Sequence, residues 1–393
     1  MVPKGTSFID VFLPFYLILA QYYYGPFSLG NYILVFAAVV YIARNPERRF
    51  RFDRGLFIFL LYASVVQISM MLGWSLTSIG YIAMIANMLV AWICLGVLHQ
   101  QLHIEKTMKY FELAVAVVLV GEAVQCYQVY FLNARVDPIV ILPLTSNDNW
   151  AWSHARPMSF FQEPQALASY LSLFVLIEAR RGRMLIASFA TAFILLSGST
   201  QGIVLAATVW VLILLSSEMS FGKKLGILML GVCLLSMFMY LPIFDYARQK
   251  LLSAGSTGSD YSRLWKAFDT YFQLPFINCI FGIGGGMLNP LIESSVLSFS
   301  WMDSINIAQN GYMSMLFGVF VNYGLIGGLL YWFSLLHRVS LKSDFLSSAI
   351  VLLIVVNAAS SSVFFGSPIF TLYMMMSYAF TSSDKGWLYI GVR

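Results

Sequence analysis

Two side chains that could do chemistry stand close together in the run Arg156-Pro-Met-Ser-Phe-Phe-Gln-Glu163-Pro. Proline suits the first turn of a helix, and a carboxylate just before it complements the positive end of the helix dipole. Glu163 therefore either caps a helix or orients and deprotonates a hydroxyl acceptor, and both roles can hold together. Earlier in the same stretch, Trp150 either stacks on the apolar face of a sugar ring or is an ordinary interfacial tryptophan.

A second polar stretch, residues 244–308, carries Arg263 beside Trp265. Arg263 either extends to lipid headgroups or binds a lipid diphosphate. Apolar residues recur around it at helical spacing, which predicts an amphipathic helix lying in the membrane interface, with Lys266 elsewhere on its surface. This stripe consists of Tyr261, Leu264, Trp265, Phe268 and Phe272.

Three amide side chains lie where the second stretch meets the next apolar run. Asn306, Gln309 and Asn310 occupy positions i, i+3 and i+4, so they share one helix face. They precede an apolar run and either cap its helix or join the free N–H groups there in holding an anionic ligand. The glycines of Phe281-Gly-Ile-Gly-Gly-Gly286 indicate either a hinge or a close approach to phosphate, without a dinucleotide-binding fingerprint.

The elements that must position these residues are membrane helices. Hydrophobic residues make up 59% of the 393 positions and charged residues only 10%, whereas soluble domains carry about 25% charged residues. We therefore expect an all-α polytopic membrane protein, with residues 1–393 forming one integral membrane domain. The four cysteines have no metal-ligand spacing, and no Asp-x-Asp or ATP-binding motif occurs, so we expect no metal, cofactor or nucleic acid.

Apolar runs predict about twelve transmembrane helices separated by short turns and two long loops, residues 133–163 and 244–308. The runs lie near 8–24, 28–43, 55–72, 80–98, 110–132, 164–179, 184–198, 202–217, 225–243, 310–335, 345–364 and 367–380.

The lysines and arginines orient this topology. All but six of the 23 fall at the termini or in turns on one side of the predicted membrane, which the positive-inside rule makes cytoplasmic, with both termini there. The two long loops then face the opposite side, where several helix starts converge and favour an anionic ligand. The remaining six all lie in the long loops: Arg135, Arg156, Arg248, Lys250, Arg263 and Lys266.

With these residues assembled, the chain resembles the bacterial O-antigen polymerase/ligase family, the Wzy-type membrane glycosyltransferases grouped with the GT-C class. The resemblance covers roughly residues 150–330 and rests on short motifs in family order. They are Arg156-x-x-Ser-Phe-Phe-x-Glu163-Pro, Ser197-Gly-Ser-Thr-Gln-Gly202, Tyr-Ser-Arg263-Leu-Trp, Phe281-Gly-Ile-Gly284, Gln309-Asn310-Gly-Tyr312 and Gly324-Leu-Ile-Gly327.

Two departures bear on the reaction. The family commonly has His-Asn where this chain has Gln309-Asn310, and Ser-Arg where it has Ser199-Thr-Gln201. Ligases depend more on that histidine, so its replacement favours a polymerase. An amide is no useful base near neutral pH, which leaves Gln309 a positioning role.

The resemblance implies transfer of a glycan from undecaprenyl diphosphate to a hydroxyl of a lipid-linked repeat unit, at the periplasmic face of the bacterial inner membrane. Arg156 and Arg263 would hold the diphosphate, and Glu163, or less favourably His154, would orient or deprotonate the hydroxyl. Gln309, Asn310 and Tyr312 would position sugar or phosphate. Partners would be lipid-linked oligosaccharides, membrane lipids and a chain-length regulator; the alternatives are a ligase acting on lipid A core and a flippase of lipid-linked sugars.

Overall fold

The computed structural model describes residues 6–75, 79–136, 138–143, 156–238, 265–302, 313–381 and 387–391, with isolated positions between 240 and 248. These residues are mostly helical. The longer helices are α1 (Phe8–Leu19), α2 (Leu29–Arg44), α3 (Arg54–Gly73), α4 (Ile79–Leu98), α5 (Ile104–Tyr130), α6 (Pro164–Arg180), α7 (Met184–Leu196), α8 (Thr200–Ser216) and α9 (Phe221–Phe238). Three short helices follow: α10 (Lys266–Gln273), α11 (Phe276–Phe281) and α12 (Leu288–Glu293). The last three longer helices are α13 (Met315–Leu336), α14 (Phe345–Ser360) and α15 (Pro368–Phe380).

Four of these helices are long and apolar enough to cross a membrane, namely Arg54–Gly73, Gly80–Gln101, Ile104–Tyr130 and Met315–Leu336. Each of the twelve apolar runs in the sequence contains a helix, although several are shorter than 18 residues. Large apolar side chains also point outward, including Phe36, Leu72 and Leu185. Such exposed apolar surface is expected where lipid replaces water as the solvent.

Local signals begin these helices. The Ser7 hydroxyl accepts a bond from the Asp10 backbone N–H, and the Asp10 carboxylate accepts one from the Ser7 backbone N–H, which together form a capping box. The side chains of Ser199 and Ser367 each accept a bond from a backbone N–H in the first turn of α8 and α15. Pro164 opens α6, as proline does at a first helical position. The helix predicted to begin at Pro164 is confirmed.

Helix α6 is the centre of the bundle. Leu171, Leu173 and Leu176 lie on different sides of it, and each is fully buried. A helix that is apolar all round is one surrounded by others, and α6 contacts α5, α7, α8, α14 and α15. The residues that open α6 are therefore held by several neighbours.

Ion pairs gather at one end of the bundle. Asp10 at the start of α1 accepts bonds from the backbone N–H of His103, at 2.7 Å, and from the Thr107 hydroxyl, at 2.9 Å. At the end of α6, Arg181 pairs with Glu178 at 2.6 Å and with Glu105 at 3.0 Å. This basic end thus contains the start of α1 and the end of α6.

A short ribbon also lies at the basic end. Strand β3 (Arg49–Asp53) pairs antiparallel with β4 (Trp387–Gly391), and a smaller pair, β1 (Tyr23–Tyr24) with β2 (Phe27–Ser28), follows α1. The Arg338 guanidinium lies 4.5 Å over the Trp387 ring and pairs with buried Asp53 at 3.1 Å. These contacts fasten the described C-terminal strand to the ends of α3 and α13.

The glycine-rich stretch of the second loop fills a break in α13. Gly324 has φ 66° and ψ −173°, a conformation that interrupts the helix. The N–H groups of Ile283 and Gly284 donate to the carbonyls of Val321 and Asn322, at 3.1 and 2.8 Å. These two amides are therefore engaged inside the protein, where sequence reasoning expected a hinge or a phosphate contact.

Helix α10 is amphipathic, with its aromatic side facing outward. Trp265 and Phe272 are 60% and 66% exposed, whereas Lys266 and Thr270 are fully buried. The expectation that Lys266 lies on the surface was therefore wrong. In a protein surrounded by lipid, the apolar face of a surface helix turns outward and its polar face can turn inward.

Candidate functional site

The segment from Arg156 to Glu163 is fixed to α5 by one buried glutamine. The Gln125 Oε1 accepts hydrogen bonds from the backbone N–H groups of Met158, at 2.8 Å, and Ser159, at 2.6 Å. The Ser159 hydroxyl donates to the Val118 carbonyl at 2.7 Å. Ser159 can approach α5 this closely because residue 121 is glycine. A β-carbon at that position would lie only 2.8 Å from the Ser159 hydroxyl oxygen.

A second glutamine fixes the same segment to α1. The Gln162 N–H donates to Gln21 Oε1 at 3.0 Å, and the Gln162 side-chain amide donates to the Gln21 carbonyl. Between these attachments Phe161 is fully buried against the Tyr170 ring, with centroids 5.4 Å apart. The segment is thus held from two helices and by its own aromatic anchor.

Glu163 stands at the end of this segment in the N-cap position of α6, with extended backbone angles of −146° and 150°. Its side chain makes no capping bond to the helix backbone. The carboxylate instead accepts a hydrogen bond from the side-chain amide of Gln165. The Glu163 side chain therefore does not cap the helix, which was one of the two roles considered from the sequence. Its carboxylate lies at the surface of a cleft.

This cleft, which we call the outer cleft, has a volume of about 310 Å3. It lies between the end of α1 and the starts of α6, α8 and α15, with the turn after α14 on one side. Its lining is formed by Leu17, Ala20, Gln21, Tyr23, Gln162, Glu163, Gln165, Ala166, Ser169, Gln201, Ser361, Ser362, Val363, Ser367, Pro368 and Ile369.

The outer cleft lies opposite the basic end. Asp10 lies near the start of α1 at the basic end, and Gln21 follows the end of α1 in the cleft. Helix α6 connects its N-cap Glu163 in the cleft to its C-cap Arg181 at the basic end. The structure thus separates the ion-paired ends of the helices from a polar depression at their other ends.

A hydrogen-bond network lies under the cleft. The Gln201 Nε2 and the Ser169 hydroxyl both donate to the Asn357 Oδ1, each at 2.7 Å, and the Tyr373 hydroxyl donates to the Ser169 carbonyl at 2.7 Å. Gln201 is only 4% exposed. Its Oε1 has no hydrogen-bond partner among the residues that the structure describes.

The electrostatics of the cleft come from helix ends and one carboxylate. Helices α6, α8 and α15 all begin there, and each positive helix end attracts negative charge. Glu163 is the one charged side chain in the described lining. The helix ends therefore face a carboxylate surrounded by neutral amides and hydroxyls.

Arg156 lies at the turn between α7 and α8. Its Cδ is 3.7 Å from the place where a β-carbon on Gly198 would sit, and Gly198 has φ 61°, a conformation natural to glycine. Arg156 is near enough to Tyr130 to interact with it electrostatically. Gln201 follows Gly198 by three residues, so Arg156 flanks the α8 side of the cleft but is not part of its lining.

The other residues selected from the sequence fall outside the described part of the chain. They are Trp150, His154, Arg263, Gln309, Asn310 and Tyr312. Within the described residues, no group of three histidine, cysteine, aspartate or glutamate side chains is placed to hold a metal ion.

Sequence reasoning missed most of the cleft lining. Gln21, Ser169 and Ser361 come from helices far apart in the chain, and no spacing rule connects them. Among these missed residues, Gln201 could have been found from the sequence, because it lies in the polar junction Ser197–Gly202 between two apolar runs.

No family model, curated protein or solved structure matches this chain. The geometry of the described residues is therefore the basis for assigning a function.

Proposed function

We propose that this chain is a membrane glycosyltransferase that polymerises a polysaccharide. It would transfer a glycan from undecaprenyl diphosphate to a hydroxyl of a lipid-linked repeat unit at the periplasmic face of a bacterial inner membrane. The proposal includes about twelve membrane crossings, both termini in the cytoplasm, and the outer cleft on the periplasmic side.

One observation carries the proposal: a carboxylate held in a polar cleft at the helix ends of an otherwise apolar bundle. Glu163 is positioned through Gln162 and Gln21, and it faces a lining of amides and hydroxyls. A general base must reach the proton it removes, and a cleft that admits a hydroxylated substrate beside a carboxylate meets that need. The opposite, arginine-rich end supports the cytoplasmic assignment by the positive-inside rule.

The reaction needs one proton transfer and one displacement. The acceptor hydroxyl oxygen forms a bond to the anomeric carbon of the donor sugar, and the bond from that carbon to the diphosphate oxygen breaks. The hydroxyl proton passes to the Glu163 carboxylate, and undecaprenyl diphosphate leaves with the bonding electron pair. Arg156 and Arg263 would stabilise the negative charge that develops on the diphosphate.

The remaining sequence-selected residues complete the proposal. Gln309, Asn310 and Tyr312 would position sugar or phosphate, Trp150 would stack on a sugar ring, and His154 would bind substrate beside the base. No metal or cofactor enters the proposed steps. A chain-length regulator is the expected protein partner.

The test uses purified full-length protein with undecaprenyl-diphosphate-linked repeat units as its one glycan substrate. A ladder of product lengths on a gel is the expected result. Glu163→Gln should lower the rate by about 10²- to 10⁴-fold, and Arg156→Ala or Arg263→Ala by about 10²- to 10³-fold. Arg44→Ala is the matched control, because Arg44 is exposed in the last turn of α2 at the basic end, and it should retain full activity.

The outcomes separate the alternatives. Repeat units that stay single would refute the polymerase, and transfer of label to added lipid A core would identify a ligase. Movement of the lipid-linked unit across a vesicle membrane without bond formation would identify a flippase. Full-length polymer from both arginine variants would refute the proposal that Arg156 and Arg263 bind the diphosphate.

A further inference from the structure

The lining of the outer cleft has the hydrogen-bonding character of a site for a neutral sugar. Its polar groups are mostly glutamine amides and serine hydroxyls, which each donate and accept hydrogen bonds. Sugar hydroxyls do the same, so a neutral ligand can hydrogen-bond the polar atoms of this lining that the protein's own hydrogen bonds leave open. These polar lining residues are Gln21, Gln162, Gln165, Gln201, Ser169, Ser361, Ser362 and Ser367.

Size and charge restrict the ligand further. A volume of about 310 Å3 is at the lower end of the roughly 300–1,000 Å3 typical of small-molecule sites, which suits a sugar ring rather than a whole lipid-linked oligosaccharide. An acidic sugar would bring a second carboxylate beside Glu163, and like charges a few ångströms apart repel. A diphosphate would meet the same repulsion, and the described lining adds no lysine or arginine to the attraction of the helix ends.

Gln201 supplies a specific contact for such a ligand. Its Oε1 is buried without a hydrogen-bond partner among the described residues, and an unpaired buried acceptor is destabilising. The Nε2 of the same side chain is held by Asn357 at 2.7 Å, which fixes the orientation of the amide. A sugar hydroxyl that donated to Oε1 would satisfy the group of this network that lacks a partner among the described residues.

We infer that the outer cleft is the subsite for a neutral sugar ring of the acceptor, with Gln201 accepting from one of its hydroxyls. This inference rests on the proposed function and adds that the acceptor presents a neutral sugar to the cleft. The ring's reacting hydroxyl points to the Glu163 carboxylate. The donor diphosphate binds outside the cleft, on the side of Arg156.

Binding of free sugars tests the inference without the reaction. Full-length protein in lipid nanodiscs is titrated by saturation-transfer NMR with methyl glycosides of neutral hexoses, N-acetylhexosamines, 6-deoxyhexoses and hexuronic acids, and separately with inorganic pyrophosphate. At least one neutral glycoside should bind, and the hexuronides should bind at least about tenfold more weakly. Gln201→Met should weaken binding of the neutral glycoside about three- to tenfold, as expected for one lost hydrogen bond. It should leave pyrophosphate binding unchanged.

Two further variants separate a binding role from a structural one. Gln201→Met should unfold at about the same temperature as the unmodified protein. It loses the Nε2 bond to Asn357, but it also removes an Oε1 that has no partner among the described residues, and Asn357 stays bonded to Ser169. Glu163→Gln should strengthen hexuronide binding, since it removes the repelling charge. Gln100→Leu is the matched control, because Gln100 lies at the basic end bonded to Gly96, and it should bind glycosides normally.

Each result has a definite reading. Hexuronides that bind as tightly as neutral glycosides, pyrophosphate that competes with the glycoside, or glycoside binding unchanged in Gln201→Met would overturn the inference. So would the absence of glycoside binding together with undiminished polymer from Gln201→Met. If glycosides bind as expected but no polymer forms from lipid-linked units, the proposed function fails while the cleft keeps its ligand class.

Discussion

Replacing Gln125 by leucine should release the segment that carries Arg156 and Glu163. The Gln125 side chain is 1% exposed, and its Oε1 accepts from the N–H groups of Met158 and Ser159 at 2.8 and 2.6 Å. Leucine has a similar size but no acceptor, so two buried N–H groups lose their partner. Each such loss costs about 1–3 kcal/mol, which gives about 2–6 kcal/mol against the docked segment.

Hydrogen–deuterium exchange measures this effect locally. Exchange reports the free energy of local opening, and about 2 kcal/mol corresponds to roughly 30-fold faster exchange. The peptide that contains Met158 and Ser159 should therefore exchange at least about 30-fold faster in Gln125→Leu. Polymer formation should fall in parallel, because displacement of a catalytic group by about 1 Å can cost about 10²-fold in rate.

The matched control is Gln128→Leu, a half-buried position one turn further along α5. It should leave exchange of the segment and polymer formation unchanged. Unchanged exchange in Gln125→Leu would refute the positioning argument. Fast exchange with normal polymer formation would show that the reaction does not depend on the docked segment.

Two further predictions concern the second loop and the break in α13 against which it packs. Burial lowers the pKa of Lys266 from its usual 10.5 to about 8, beneath the Trp301 ring at 4.5 Å. The unfolded chain therefore binds more protons between these values, so the free energy of unfolding should rise from about pH 8 to 10.5, and Lys266→Met should remove that rise. Gly324→Ala should strongly reduce folded protein, because a β-carbon there would overlap the Ile280 carbonyl and residue 324 has positive φ, whereas Gly222→Ala, with open space around it, should not.

Both predictions have direct measurements. Thermal unfolding of the detergent-solubilised protein across pH 7–10.5, compared between the unmodified chain and Lys266→Met, isolates the lysine from other titrating groups. Parallel slopes in the two proteins would contradict a depressed pKa. Size-exclusion chromatography measures the yield of folded Gly324→Ala, and a normal yield would contradict the packing of α13 against the glycine-rich stretch.

The sequence predicts the helices of this bundle well because their causes are local. Pro164 opens α6 as expected, since its ring fixes φ and its missing N–H needs no partner at that position. The site behaves differently. Gln21, Gln201 and Ser361 meet through the packing of three helices, and nothing in the residues around each one indicates the other two.

Lys266 shows a limit of another kind. The spacing of Trp265, Phe268 and Phe272 identifies an apolar face of α10, and a helix is observed there. Periodicity cannot tell whether such a face packs inward, as in water, or outward, as it does in contact with lipid. The aromatic face is exposed and the lysine is buried, so the helix was predicted correctly while the surface position of Lys266 was not.

The two glutamine attachments have a joint consequence for the site. Gln125 holds the middle of the segment from α5, and Gln21 holds its end from α1. The same two helices are tied together at the basic end through Asp10 and His103. Helices α1 and α5 therefore form one frame, fastened at both ends, and a shift between them would displace Arg156 and Glu163 together. In the proposed reaction the base and the diphosphate-binding group act on opposite partners of one displacement, and they would need that fixed separation because the reacting atoms tolerate little misalignment.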